Sequence, residues 1–187
     1  MNEPRAQSTD PAASPRQTGT PTLNLKFLSH GTLETRDLDF ARRFYEEFMG
    51  FEVVRSSRIS LWIRLGGLHT YVVVQAPPGK QLEMNFMNHN GVDVETEEQV
   101  EECHRLVTRD ADKWQLKKIT KPRIAHGTYS FYFFDADNNA WEILANPPGG
   151  YDWMFKRGDQ EGLGHQSKKF DRPISTRRTP PDEEPKS

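Results

Sequence analysis

Apolar and polar positions between residues 23 and 146 trace one pattern twice. The run FLSHGTLETRDLDFARRFYEEF, starting at Phe27, aligns at an offset of 59 residues with FMNHNGVDVETEEQVEECHRLV, starting at Phe86. His30 then falls on His89, Leu33 on Val92, Asp37 on Thr96, Ala41 on Val100, Phe44 on Cys103 and Phe48 on Val107. Each copy predicts a short strand, a connector, an N-cap residue and an amphipathic helix. The first helix sets Phe40, Phe44, Tyr45 and Phe48 on one face and stops at Gly50, a residue suited to the left-handed terminating position. The second opens on the capping-box pair Thr96 and Gln99 and turns Val100, Cys103 and Val107 inward.

Segments rich in Val, Ile, Tyr, Phe and Trp follow each helix and predict strands. They are Phe51–Arg55, Ile59–Leu65 and His69–Gln75 in the first copy, and Gln115–Ile119, Tyr129–Phe134 and Ala140–Leu144 in the second. Each copy therefore reads βαβββ. Neither buries both its helix and its sheet alone, so the expectation is an α+β domain of two paired modules, residues 23–76 and 83–146, around a central metal-binding cleft.

Composition marks the borders. Of 13 prolines, four precede Leu23, six follow Asn146, and only Pro77, Pro78 and Pro122 lie between. Residues 1–22 and 171–187 read as disordered tails. Residues 147–170 carry Tyr151, Trp153, Met154 and Phe155, so an irregular arm packed on the domain is expected there. No apolar run reaches the length of a bilayer span, and the N-terminus lacks the apolar stretch of a secretory signal. With 25 Lys+Arg against 27 Asp+Glu the net charge is -2, which argues against nucleic-acid and anionic-membrane partners. The single Cys103 excludes an internal disulfide or a cysteine-based zinc cluster. A cytoplasmic protein is the expectation.

The repeat puts His30 and His89 at equivalent points, each at its module's first strand. A pair of imidazoles converging on one cleft forms the edge of a metal site. Glu142, in the strand Asn-Ala-Trp-Glu-Ile-Leu, alternates with Trp141 and Ile143, and a carboxylate in such an apolar strand is costly unless it is paired or bound to a cation. Together the three compose a two-histidine, one-carboxylate face of the kind found in non-haem Fe(II) oxygenases. Taken singly, each also fits a plainer role: a hydrogen-bonded histidine beside a turn, or a solvent-facing glutamate.

The pattern His30…Leu33…Asp37-Leu38…Phe44-Tyr45…Gly50-Phe51-Glu52 resembles the opening of the vicinal oxygen chelate superfamily, which includes glyoxalase I, fosfomycin and bleomycin resistance proteins and extradiol ring-cleaving dioxygenases. Tyr132-Phe133-Phe134-Asp135-Ala136-Asp137-Asn138-Asn139…Glu142 is similar to its closing strand–turn–strand with the terminal metal-binding glutamate. The resemblance covers residues 24–146. Ala136 stands where the family usually has proline, and Asn138 where it has glycine; asparagine tolerates the left-handed conformation the turn needs.

The resemblance implies one divalent metal on His30, His89 and Glu142. Fe(II) is the leading choice, with Mn(II), Zn(II) and Ni(II) as alternatives. Glyoxalase I adds a carboxylate late in the first module's last strand; here His-Thr-Tyr-Val-Val-Val-Gln offers only Gln75. Among one-domain extradiol dioxygenases, the resemblance implies His69 as acid/base, Tyr132 as hydrogen-bond donor to substrate, and His126 in an orienting role. His69 equally fits a surface position at the start of a strand. His104, His165 and Cys103 are assigned structural or surface roles. The leading expectation is a homodimeric Fe(II) dioxygenase that cleaves a catechol-like small molecule with O2. The alternatives are a glyoxalase-type lyase or isomerase and a metal-free binding or resistance module.

Overall fold

A computed structural model describes residues 21–157, apart from positions 24, 26, 126 and 148. Strand β1 (His30–Thr35) leads to helix α1 (Leu38–Arg43), whose axis continues as a π-helical turn over Phe44–Phe48. Asp37 caps α1, its carboxylate accepting from the backbone N–H groups of Asp39 and Phe40. Gly50 then turns the chain at a φ of 71° into β2 (Glu52–Ser57), followed by β3 (Ser60–Arg64) and β4 (Thr70–Gln75). The second module runs β5 (Asn90–Val94), α2 (Glu97–Arg109), α3 (Ala111–Trp114), β6 (Arg123–Ala125), β7 (Thr128–Phe134) and β8 (Ala140–Ala145). At α2 the Thr96–Gln99 capping box forms in full.

Both modules build the same sheet. The orders are β1-β4-β3-β2 and β5-β8-β7-β6, with the first pair parallel and the rest antiparallel. The βαβββ reading of each copy therefore holds. One strand is displaced: Gln115–Ile119 is not a strand, because Gln115 and Lys118 take φ values of 55° and 50°. Only Lys117 bridges to Phe134, and the sheet's fourth strand is β6, further along.

Alternation gives each sheet a buried face. Leu33, Val53, Leu61, Ile63 and Val73 supply it in the first sheet, and Phe131, Phe133, Trp141 and Ile143 in the second. The two faces share one core. Trp141 packs edge-on against Tyr45, Phe51 and Tyr71, while Trp114 of α3 meets Phe40, Phe44 and Phe48 of the first module. A polar clamp closes the same seam. The turn from β7 to β8 brings Asp137 to the Thr35 hydroxyl and to the Arg36 backbone and guanidinium, and Asn139 donates to the Glu34 carbonyl. Beyond β8, Gly149 and Gly150 turn at positive φ into a short helix α4 (Asp152–Arg157), where the sequence suggested an irregular arm; Phe155 on it is exposed. The expected tails, apart from residues 21 and 22, and the rest of the arm lie outside the described residues. None of the described helices is long and apolar enough to cross a membrane.

Candidate metal centre

The chemistry gathers on the face of the second sheet that points away from the shared core. Along β8, Trp141 and Ile143 turn inward, so Glu142 and Leu144 point the other way. Tyr132 is the cross-strand partner of Glu142. His89 reaches the same face from the residue preceding β5, after a 3-10 turn over Phe86–Asn88 that the Asn85 side chain caps. Its Nε2 lies 3.2 Å from Glu142 Oε2, and its Nδ1 lies 2.9 Å from the Phe86 carbonyl. Donation from Nδ1 to that carbonyl directs the Nε2 lone pair at the carboxylate side, as a metal-ligating histidine requires. The Tyr132 ring packs edge-on against His89 and Phe86, with centroids 4.9 Å and 4.7 Å away.

Glu142 is 4% exposed, and its Oε1 has no hydrogen-bond partner. An unpaired oxygen of a buried carboxylate is costly, and a cation is the partner that removes the cost. The donor set of one oriented imidazole and one orphaned carboxylate oxygen thus fits a divalent metal. Burial, and after it a hydrogen bond to the Glu142 carboxylate and that group's charge, raise the Tyr132 phenol well above its ordinary range. Burial likewise pushes Tyr151 up to about 12, with the Glu142 charge adding to it.

The first sheet places His30 in the matching position. His30 opens β1, Val72 of β4 pairs with Trp62 of β3, and the His30 and Trp62 rings are 6.3 Å apart. Val72–Trp62 is the counterpart of Glu142–Tyr132, at an offset of 70 residues rather than 59 because α3 and the loop after it lengthen the second module. This corrects the sequence expectation about a fourth ligand. The position equivalent to Glu142 is Val72, whereas Gln75 lies at the other end of β4 from His30 and donates to the Arg36 carbonyl.

The three expected ligands do not all meet within one chain. His89 and Glu142 do. His30 lies on the outward face of its own sheet, and no group of three His, Cys, Asp or Glu side chains able to hold a metal occurs among the described residues. The expected cleft between modules is therefore not the metal site of a single chain, because the modules join through the opposite faces of their sheets. His69 is also displaced from its expected role. It packs edge-on against Tyr71, whose ring abuts Trp141, on the core side of the sheet, and it lines a cavity of about 360 Å³ with Tyr71, Gly91 and Trp141. His126 lies outside the described residues. His104 stacks edge-on against Phe131, and Cys103 is half-buried on α2 with its thiol raised by burial, both in structural roles.

Sequence reading did not single out Phe86, whose carbonyl orients His89, or Trp62. The shifted repeat would have found Trp62, had the longer second module been allowed for.

A sheet pair of this order, with a histidine and a glutamate meeting on its outward face, defines a class that comparison with known proteins identifies. The chain belongs to the glyoxalase/bleomycin resistance protein/dioxygenase superfamily, whose family model matches residues 28–143. It is similar in fold to a possible glyoxalase from Bacillus cereus (21% identity, 64% of this chain and 99% of that one, TM-score 0.53). A glyoxylase/bleomycin resistance protein/dioxygenase domain from Frankia sp. EAN1pec is similar too (20% identity, 64% and 97%, TM-score 0.51). So is the genomically encoded fosfomycin resistance protein FosX from Listeria monocytogenes, solved in complex with Mn(II) and sulfate ion (26% identity, 64% and 89%, TM-score 0.50). No curated protein matches the chain.

Proposed function

We propose that this protein is a metal-dependent enzyme that acts on a small molecule offering two neighbouring oxygens, with its site completed across a homodimer. His89 and Glu142 of one copy and His30 of a second copy would hold the divalent ion. The observation that carries the reading is Glu142, 4% exposed with its Oε1 unpaired, beside an oriented His89. The dimer follows from the other half-site. The face bearing His30 leaves Trp62 41% and Val54 61% exposed, an apolar sheet surface that a second copy covers. Two-fold symmetry then completes two equivalent sites at once.

The ion supplies Lewis acidity, which favours the ionised form of a bound hydroxyl. Around it, Phe86 fixes the His89 tautomer through its carbonyl and closes one side with its ring. Tyr132, held protonated at neutral pH, acts there as a hydrogen-bond donor to a substrate oxygen and not as a base.

For the reaction, Fe(II)-dependent cleavage of a catechol-like ring with O2 is the first reading. Three protein ligands, with Val72 and not a carboxylate at the fourth position, would suit a metal that supplies chemistry on a chelating substrate. A second reading, a redox-neutral lyase, isomerase or addition reaction with Mn(II), is favoured by the likeness to the Mn(II) complex of FosX and by His69 lying on the other face of its sheet. Anaerobic loading with Fe(II) or Mn(II), followed by a catechol panel with and without O2, separates the two. Sedimentation of Trp62→Glu tests the assembly: the expected result is a folded monomer that binds no metal tightly. A native monomer with a full complement of metal overturns the shared site.

A further inference from the structure

Aromatic rings pack the seam between the modules except at one place. There a cavity of about 360 Å³ opens between the start of β4 and the edge strand β5. Phe51, Ile63 and Trp141, all buried, form its apolar lining. Gly66 and Gly67, where a Cβ would meet nothing within 4 Å, put no side chain into it. Its charged groups are engaged elsewhere: Arg64 pairs with Glu52, and Asp93 accepts from the Asn146 backbone N–H. Two polar groups on the lining remain. The Tyr71 hydroxyl makes no hydrogen bond among the described residues, and burial raises its pKa, so it stays a donor at neutral pH. His69 Nδ1 lies 3.3 Å from the Leu28 carbonyl, an acceptor only, so the neutral ring carries its proton on Nδ1 and leaves Nε2 as an acceptor. The phenol is fixed in place, because its ring lies against Gly31 and is wedged edge-on between His69 and Trp141. A donor held rigid before binding costs little entropy to engage.

We infer that this cavity is a second ligand site, separate from the metal centre, for a flat, uncharged molecule of two fused rings with a lactam edge. β8 stands between the two sites, since Trp141 lines the cavity and Glu142 points to the opposite face. The occupant therefore does not reach the metal ligands, and the inference stands whether or not a metal binds. Size sets the two rings: an apolar cavity of about 150 Å³ holds one benzene, and this one is about 360 Å³. Aromatic walls favour a flat ring that can stack or meet them edge-on. The polar pair sets the edge, because a lactam offers a carbonyl to the Tyr71 hydroxyl and an N–H to His69 Nε2. Arg64 and Asp93 already have partners, so a charged ligand would find no free counter-charge there.

The test titrates the full chain calorimetrically at pH 8, with EDTA present throughout, using carbostyril and coumarin. Coumarin keeps the ring shape and the carbonyl but has an oxygen in place of the lactam N–H. Carbostyril is expected to bind about fivefold tighter, the worth of one hydrogen bond. His69→Leu, a change at an exposed side chain, should bring that preference to near one. Tyr71→Phe should weaken both ligands by about fivefold and leave the preference in place. Absence of saturable binding at millimolar ligand, equal affinities in the native protein, or a preference that survives His69→Leu overturns the inference. A second measurement needs no variant. Carbostyril should shift the assigned indole N–H resonance of Trp141 in the native chain, with the same saturation curve as the heat. Binding that leaves this resonance unmoved places the ligand elsewhere and overturns the inference.

Discussion

Replacing Thr35 by valine tests the clamp that holds the two modules together. Thr35 is 1% exposed, and its hydroxyl donates to Asp137 Oδ2 at 2.5 Å across 102 residues of sequence. The same oxygen accepts from the Asp37 N–H at 3.1 Å. Valine keeps the shape but loses both bonds. A hydrogen bond to a charged group contributes about 1.5–3 kcal/mol, and an abandoned backbone N–H adds about 1 kcal/mol, so the expected loss is about 2.5–4 kcal/mol. Arg36 cannot compensate, because it engages the other carboxylate oxygen, Oδ1, through its backbone N–H and guanidinium. Urea unfolding is the assay, with the midpoint falling and the slope unchanged. A double-mutant cycle with Asp137→Asn isolates the pairwise coupling, expected to exceed about 1 kcal/mol. A loss below about 0.5 kcal/mol, or zero coupling, would show that the modules are joined by aromatic packing alone and refute the clamp.

Other outcomes follow from single features. Glu142→Gln should weaken metal binding by roughly a hundredfold or more while the metal-free unfolding midpoint does not fall, because the unpaired buried charge is gone; competition with a chelator and thermal melts measure both. Gly31→Ala should cost about 1–3 kcal/mol in denaturant titration, since a Cβ there comes within 2.5 Å of Tyr71 Cε1 and that ring is wedged between His69 and Trp141. Asp135, buried at the turn, is pushed up to about 6 by desolvation although it accepts from Asp137, Asn139 and Trp141. The folded state therefore holds its proton more tightly than the unfolded chain, and the stability this group contributes is full below its ordinary pKa and lost as pH rises through about 6. Between pH 7 and pH 5 the native protein should gain about 1 kcal/mol relative to Asp135→Asn; an equal pH dependence in the two proteins contradicts the assignment.

Local chemistry and periodicity in the sequence determined the two modules, the caps at Asp37 and Thr96 and the turn at Gly50; the internal repeat and strand alternation made His30, His89 and Glu142 candidates, and the family resemblance added Tyr132. The false strand at Gln115–Ile119 shows the limit of such signals. Its apolar residues cap the core after α3, and two left-handed residues forbid an extended run. Which faces of the sheets meet was decided only by tertiary structure. Strand alternation tells that Glu142 and Trp141 point oppositely, but not which of those sides meets the other module. That choice belongs to the aromatic cluster of Trp141, Tyr45, Phe51 and Tyr71, assembled from positions up to 96 residues apart. It buries the tryptophan side and turns His30 and His89 outward on separate sheets, so the three proposed ligands do not meet within one chain.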